Sequence, residues 1–203
     1  MLAQPFRLEH DAVMIPYTAE AVEYCADFDC GDSDLNEFFS RDALPYDAEL
    51  LGKTYAWVDY TKPSHIIGMI TLANDSIKAR HIASNARNRL QRNISNVKRG
   101  RSYPAVLIGR LGVATDFRGK GYNVGSQILK FIKDWFRTKE NKTGCRFIVV
   151  DAYNNDKTLH FYEKNGFKPL YRNEIEEREF LGLSSEHEMP TRFYYYDLKW
   201  ESV

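Results

Sequence analysis

Strand-length apolar runs punctuate this chain, separated by stretches whose apolar residues recur at helical spacing. Thr54–Tyr60 and His65–Leu72 are rich in aromatic and β-branched residues and flank the turn signal Thr61-Lys62-Pro63-Ser64, which predicts an antiparallel hairpin. A second block opens with a strand over residues 105–114, introduced by Pro104. A glycine-rich turn follows, and then a helix from about Gly125 to Lys139 with Ile128, Leu129, Phe131, Ile132, Trp135 and Phe136 at helical intervals. Cys145–Ala152 is nearly continuous in apolar residues, as a strand buried on both faces would be. The order strand, helix, strand predicts a parallel pair joined by a crossover. Asn154-Asn155-Asp156 marks a turn and cap, Thr158–Lys164 a short helix, and Asn165-Gly166 its end. Phe167–Leu170 begins a further strand, and residues 191–200 form the last one.

The N-terminal part is less regular. Val13-Met14-Ile15 suits a short first strand, and Phe28–Asp34 a turn in which Gly31 supplies the flexible position. A helix capped by Asp34, with Glu37 three residues on as in a capping box, carries the apolar face Leu35, Phe38, Phe39, Ala43 and Leu44. Pro45 kinks or ends it. Together these elements predict an α/β (α+β) fold: a mixed, mostly antiparallel central sheet with one parallel pair and helices on both faces. The 203 residues suffice for one domain, 1–203, with a sizeable core.

Charge changes the picture locally rather than globally. Lys plus Arg and Asp plus Glu each number 28, so the formal net charge is zero. Yet residues 77–103 hold Lys78, Arg80, Arg87, Arg89, Arg92, Lys98, Arg99 and Arg101 with no acid among them, around a short amphipathic helix marked by Ile82, Ala86 and Leu90. The stretch 174–188 is strongly acidic and reads as a surface excursion that hides this asymmetry. The basic segment is either a solvated connection or a cradle for nucleic-acid phosphates. Three cysteines (Cys25, Cys30, Cys145) make no pairing framework, and no apolar run nears the ~20 residues that span a bilayer. The N-terminus lacks a signal-peptide apolar core. These features lead to the expectation of a cytoplasmic protein with reduced thiols, no membrane partner and no metal site.

The candidate chemistry lies at the turn Arg118-Gly119-Lys120-Gly121-Tyr122-Asn123-Val124-Gly125-Ser126. A strand, a glycine-rich turn and a helix in that order place unpaired N–H groups at a helix N-terminus, where a phosphate is favoured. No Gly-Lys-Ser/Thr ending follows, which disfavours a triphosphate P-loop, and no acidic ribose contact stands where a dinucleotide fold needs one.

Arg118-x-x-Gly121, followed after the next strand by Asn155 and by Leu159-His160-Phe161-Tyr162-Glu163-Lys164-Asn165-Gly166-Phe167, resembles the GCN5-related N-acetyltransferases over roughly residues 54–200. The resemblance implies a sheet whose two parallel strands splay apart around acetyl-CoA as the cofactor. It implies that main-chain groups of Leu111, Gly112 and Val113 pair with the pantetheine arm, and that N–H groups from Arg118, Gly119, Lys120 and Gly121 through Val124, Gly125 and Ser126 hold the diphosphate. Asn155 is then expected to hydrogen-bond the cofactor and Tyr162 to lie near its sulfur. The family reads Arg/Gln-x-x-Gly-x-Gly/Ala. Here Asn123 takes the last position, and Tyr122-Asn123 looks like a two-residue insertion.

A narrower resemblance joins Phe28-Asp29-Cys30-Gly31, Leu35-Asn36, Phe38, Phe39 and Ala43 with the strand Tyr103–Val113. It is to the acetyltransferase toxins of bacterial toxin–antitoxin pairs. It implies an aminoacyl-tRNA α-amine as acceptor, tRNA contact through the basic segment 78–101, an antitoxin, and a homodimer as further partners. Core packing is the plainer account of Leu35, Phe38 and Phe39.

The expected chemistry is direct acyl transfer from a thioester to a neutral amine. An α-amine with a pKa near 8 needs less help from a base than a lysine near 10.4. No Glu or His stands out as a base, and Asp151 reads equally as a structural residue. Tyr162 is the candidate donor to the departing thiolate, against a packing role alone, and the N–H of Val113 the candidate group that polarises the thioester. His160 is expected on a helix surface and Cys145 buried in a strand. A small-molecule or protein amine acetyltransferase, or a non-catalytic acyl-CoA-binding module, would carry the same motifs.

Overall fold

The computed structural model describes residues 6–92, 94–95, 102–139, 141, 143–184 and 186–199. Among the described residues seven strands form one sheet: β1 (Ala12–Pro16), β2 (Lys53–Asp59), β3 (Ile66–Lys78), β4 (Ser102–Val113), β5 (Phe147–Tyr153), β6 (Lys168–Pro169) and β7 (Thr191–Asp197), in the order β1-β2-β3-β4-β5-β7-β6. The sheet is mostly antiparallel. Its parallel pair is β4 with β5, registered Ala105–Phe147, Val106–Ile148 and Leu107–Val149. The mixed α/β fold predicted from the sequence is therefore the fold found.

The chain forms two compact units. The first comprises residues 1–73 and 108–134. In it β1 pairs antiparallel with β2 and β2 with β3, and a bulge lies between Trp57 and Val58. Short helices precede β2, the first of them α1 (Leu8–Asp11), α2 (Ala19–Tyr24) and α3 (Ser33–Glu37). Asp32, rather than Asp34, caps α3, its carboxylate accepting from Leu35 N at 3.1 Å. A wide π-type turn over Phe38–Asp42 then leads into α4 (Ala43–Ala48). Ala43 N donates to Phe38 O five residues back, which starts a fresh first turn at Ala43. Pro45 falls inside that first turn, where an N–H would lack an intrahelical partner anyway, so it does not end the helix, which runs on to Ala48. Leu35, Phe39 and Ala43 join Cys30, Ala56, Val58, Ile66 and Met69 in the core of this unit. The helix α6 (Val124–Arg137) buries Val124, Ile128, Leu129 and Ile132 along one face.

The second unit comprises residues 74–107 and 135–203. Here β5 pairs antiparallel with β7 over seven positions, and β6 pairs with β7. The predicted amphipathic helix is α5 (Ser84–Gln91), with Ala86 and Leu90 buried against Tyr103, Phe147, Val149, Leu170 and Tyr195. Lys98, Arg99 and Arg101 lie outside the described residues. The acidic stretch holds a helix, α8 (Glu174–Phe180), capped by Asn173. It is not wholly a surface excursion. Glu177 is buried, accepts from Arg192 Nε, and accepts from Phe193 N at 2.8 Å. A carboxylate can be buried in this way only because a guanidinium and an amide replace its water. Cys145 stands two residues before β5, half-buried, with Sγ 3.1 Å from Phe147 O, rather than buried within a strand. All three cysteines are free. No described helix is long and apolar enough to cross a membrane.

Candidate active site

In the first unit, β4 ends at Val113, Ala114 N donates to Ile67 O at 2.9 Å, and a single 3₁₀ turn, Thr115–Phe117, turns the chain toward α6. Between that turn and the helix lie the predicted phosphate contacts Arg118 to Gly121, while Val124, Gly125 and Ser126 are the first residues of the helix. Gly119 (φ 70°), Gly121 (φ 76°) and Asn123 (φ 51°) all adopt the left-handed conformation. Glycine takes it without strain, and asparagine better than most other residues. A Cβ built on Gly119 or Gly121 meets no atom within 4 Å, so this side of the turn is open. Leu111, Gly112, Val113, Arg118, Gly119, Lys120, Gly121, Val124, Gly125 and Ser126 thus form one continuous strand–turn–helix.

The turn Phe28–Gly31 is built against this segment. Asp29 O accepts from Thr115 N at 3.0 Å. Asp29 Oδ1 accepts from Gly31 N and from Asn36 Nδ2, each at 2.7 Å, and these bonds lower its pKa, with Arg118 adding positive charge nearby. Gly112 faces the rings of Phe28 and Phe39, which would lie 3.1 Å from an added Cβ. A larger residue there would push against both rings.

Two polar side chains here, Gln127 and Arg110, escaped the reading of the sequence. Gln127, in the first turn of α6, donates from Nε2 to Tyr122 O at 2.7 Å and to Phe6 O at 3.3 Å, and its Oε1 accepts from Leu8 N at 2.7 Å. Phe6, Phe117 and Tyr122 pack ring to ring beside it, with centroids 5.2 to 6.2 Å apart. Arg110, on β4, stacks its guanidinium 5.0 Å over Phe38. Its Nη1 donates to Gly109 O and its buried Nε has no partner among the described residues. None of these leaves a signal in periodicity, because a polar residue with a tertiary hydrogen bond looks like any surface residue of its element.

In the second unit, Asn155 caps α7 (Asp156–Lys164), its Oδ1 accepting from Thr158 N at 3.0 Å. Tyr162 lies seven residues on, two helical turns away and on the same face. It is 6% exposed and sits against the rings of Phe161 (5.2 Å) and Phe167 (5.3 Å). Its phenol has no protein hydrogen-bond partner among the described residues, although buried phenols usually have one. Desolvation, with Tyr153 contributing, raises its pKa and keeps it protonated. His160 is exposed on α7. Asp151 reaches solvent from β5, yet enough protein surrounds it for desolvation to raise its pKa, with Asp75 and Glu177 adding like charge.

On α5, Arg87 donates to Ser84 Oγ and Arg89 to Leu170 O. Among the described residues no carboxylate pairs with Arg87, Arg89 or Arg92, so this surface keeps its positive charge.

Residues 53–169 match the family model described as an acetyltransferase (GNAT) domain. Solved structures with the same fold include AtaT complexed with acetyl-methionyl-tRNAfMet, 20% identical, TM-score 0.62, covering 93% of this chain and 96% of that one. A mutant of KacT is 19% identical with TM-score 0.65, covering 94% and 96%. AtaTR bound with AcCoA is 19% identical with TM-score 0.58, covering 93% and 94%.

Proposed function

The chain belongs to the GNAT acetyltransferase family, and from that premise we propose that it moves the acetyl group of acetyl-CoA to the α-amine of an aminoacyl-tRNA in a ternary complex. The observation that carries the donor half is the open turn from Arg118 to Ser126, with three left-handed residues ahead of a fourteen-residue helix. Consecutive amides in such a turn, at the positive end of a helix dipole, suit a diphosphate. Lys120 and Arg118, exposed on the same turn, add charge attraction. Main-chain groups of Leu111, Gly112 and Val113 hold the pantetheine arm, and Asn155 adds a side-chain hydrogen bond.

The amine attacks the thioester carbon, whose oxygen is polarised by Val113 N–H. The C–S bond breaks and the thiolate leaves. With reference values near 10 for the phenol and 8.5 for the thiol, full proton transfer from Tyr162 is uphill by about 2 kcal/mol. The raised pKa of Tyr162 makes it more so. Its role is therefore a hydrogen bond to the developing thiolate, and the amine's own proton neutralises the thiol in the end. An α-amine near pKa 8 is partly neutral at physiological pH, so no strong base is required.

The tRNA half rests on the unneutralised arginines of α5 and on the likeness of fold to AtaT, whose structure contains acetyl-methionyl-tRNAfMet. The likeness to KacT and AtaT, the latter solved with the C-terminus of the antitoxin AtaR, supports an antitoxin partner. Incubation with acetyl-CoA and aminoacylated tRNA should add one acetyl mass to the aminoacyl end. Arg87→Glu with Arg92→Glu should weaken tRNA binding about tenfold at low salt and flatten its salt dependence. Unchanged binding, with acetylation confined to small or protein amines, would retire the tRNA acceptor.

A further inference from the structure

We propose that Gln127 and Asn123 are positioning residues that lock two successive peptides of the glycine-rich turn, so that the N–H groups of Tyr122 and Asn123 are presented to the diphosphate. The inference rests on the reading that this turn holds the diphosphate, and it assigns the Tyr122-Asn123 insertion a role within it.

In a trans peptide the C=O of one residue and the N–H of the next point in opposite directions, and no described peptide is cis. Gly121 O accepts from Asn123 Nδ2 at 3.2 Å. The N–H of Tyr122 therefore points away from that side chain. Tyr122 O accepts from Gln127 Nε2 at 2.7 Å, so the N–H of Asn123 points away from the helix's first turn. Two adjacent carbonyls, which would repel a phosphate, are thus tied back, and each leaves its paired amide turned away from the side chain that holds it.

Gln127 is itself fixed from a second direction. Leu8 N donates to its Oε1, Phe6 O accepts from its Nε2, and the Phe6 ring lies 5.5 Å from that of Tyr122. One carboxamide thereby joins α6, the turn and the segment before α1. The left-handed conformation at Asn123 permits this path, and its own side chain closes it. The insertion relative to the family pattern is thus a cradle that supplies its own struts.

The test compares two donors on the intact protein: acetyl-CoA, and acetyl-pantetheine, which lacks the diphosphate. Gln127→Ala should raise KM for acetyl-CoA about tenfold, the scale of one hydrogen bond near a charged ligand. It should leave kcat within about twofold and KM for acetyl-pantetheine unchanged, a split that general loss of structure would not give. Asn123→Gly keeps the left-handed conformation and removes the strut, and should raise KM for acetyl-CoA about threefold. An unchanged acetyl-CoA KM in both variants overturns the proposal while leaving the diphosphate reading intact. An equal rise for both donors overturns it too. If the unmodified protein uses both donors equally well, the diphosphate reading itself fails, and the proposal with it.

Discussion

The turn from Arg118 to Ser126 and the helix from Asp156 to Lys164 are built in opposite ways. The turn is exposed, offers main-chain amides rather than side chains, and owes its shape to three left-handed residues. The helix buries one phenol among aromatic rings and leaves its oxygen without a protein partner among the described residues. A site made of backbone tolerates a change of side chain provided the conformation survives. Asn123 can therefore stand where the family pattern has glycine or alanine. A site made of one side chain has no such tolerance.

That contrast sets the scale of the expected effects. Tyr162→Phe keeps the ring packing and removes the donor, so kcat should fall by about 10² to 10³, with acetyl-CoA affinity nearly unchanged. Equal loss of rate and affinity would make Tyr162 a packing residue and erase the contrast. Gly112→Ala drives a methyl group toward Phe28 and Phe39, each 3.1 Å away. Overpacking of this kind costs about 1–3 kcal/mol, so a lowered unfolding midpoint and roughly tenfold weaker acetyl-CoA binding are expected. Unaltered binding would remove this strand end from the donor site.

Asp151→Asn has the smallest expected effect on turnover. Its folded pKa is raised by desolvation first, then by Asp75 and Glu177. The stability tied to the protonated acid is therefore present below the ordinary value of 3.8 and lost as pH rises through the raised one. The amide should flatten stability against pH in that window and make the protein more stable at neutral pH. Transfer to an α-amine should stay within about threefold, since such an amine is partly neutral on its own. A collapse in rate restored by raising the pH would instead make Asp151 the base.

Much of this was legible in the sequence. The order of strands and helices from β2 to β6, the parallel pair and both motifs follow from apolar runs and glycine placement, which are local signals. Helix α7 and its cap at Asn155 were marked by a polar residue before an apolar face and by Asn165-Gly166 after it. The path of the chain through Pro45 was not legible, because a wide turn restarts the helix just before it and no residue type announces such a turn. Nor was the burial of Glu177, whose acidic neighbours suggested a solvated face. Its partner Arg192 lies fifteen residues on and is found only when α8 folds against β7. Gln127 and Arg110 were hidden for the same reason, since their partners are carbonyls and a ring rather than a pattern.

Amide hydrogen exchange across the turn tests the central claim most directly. Binding of acetyl-CoA should slow exchange at residues 119–125, and acetyl-pantetheine should leave those amides as fast as in the free protein. Protection confined to other segments, with this turn exchanging freely under saturating acetyl-CoA, would contradict the claim that its main chain holds the diphosphate.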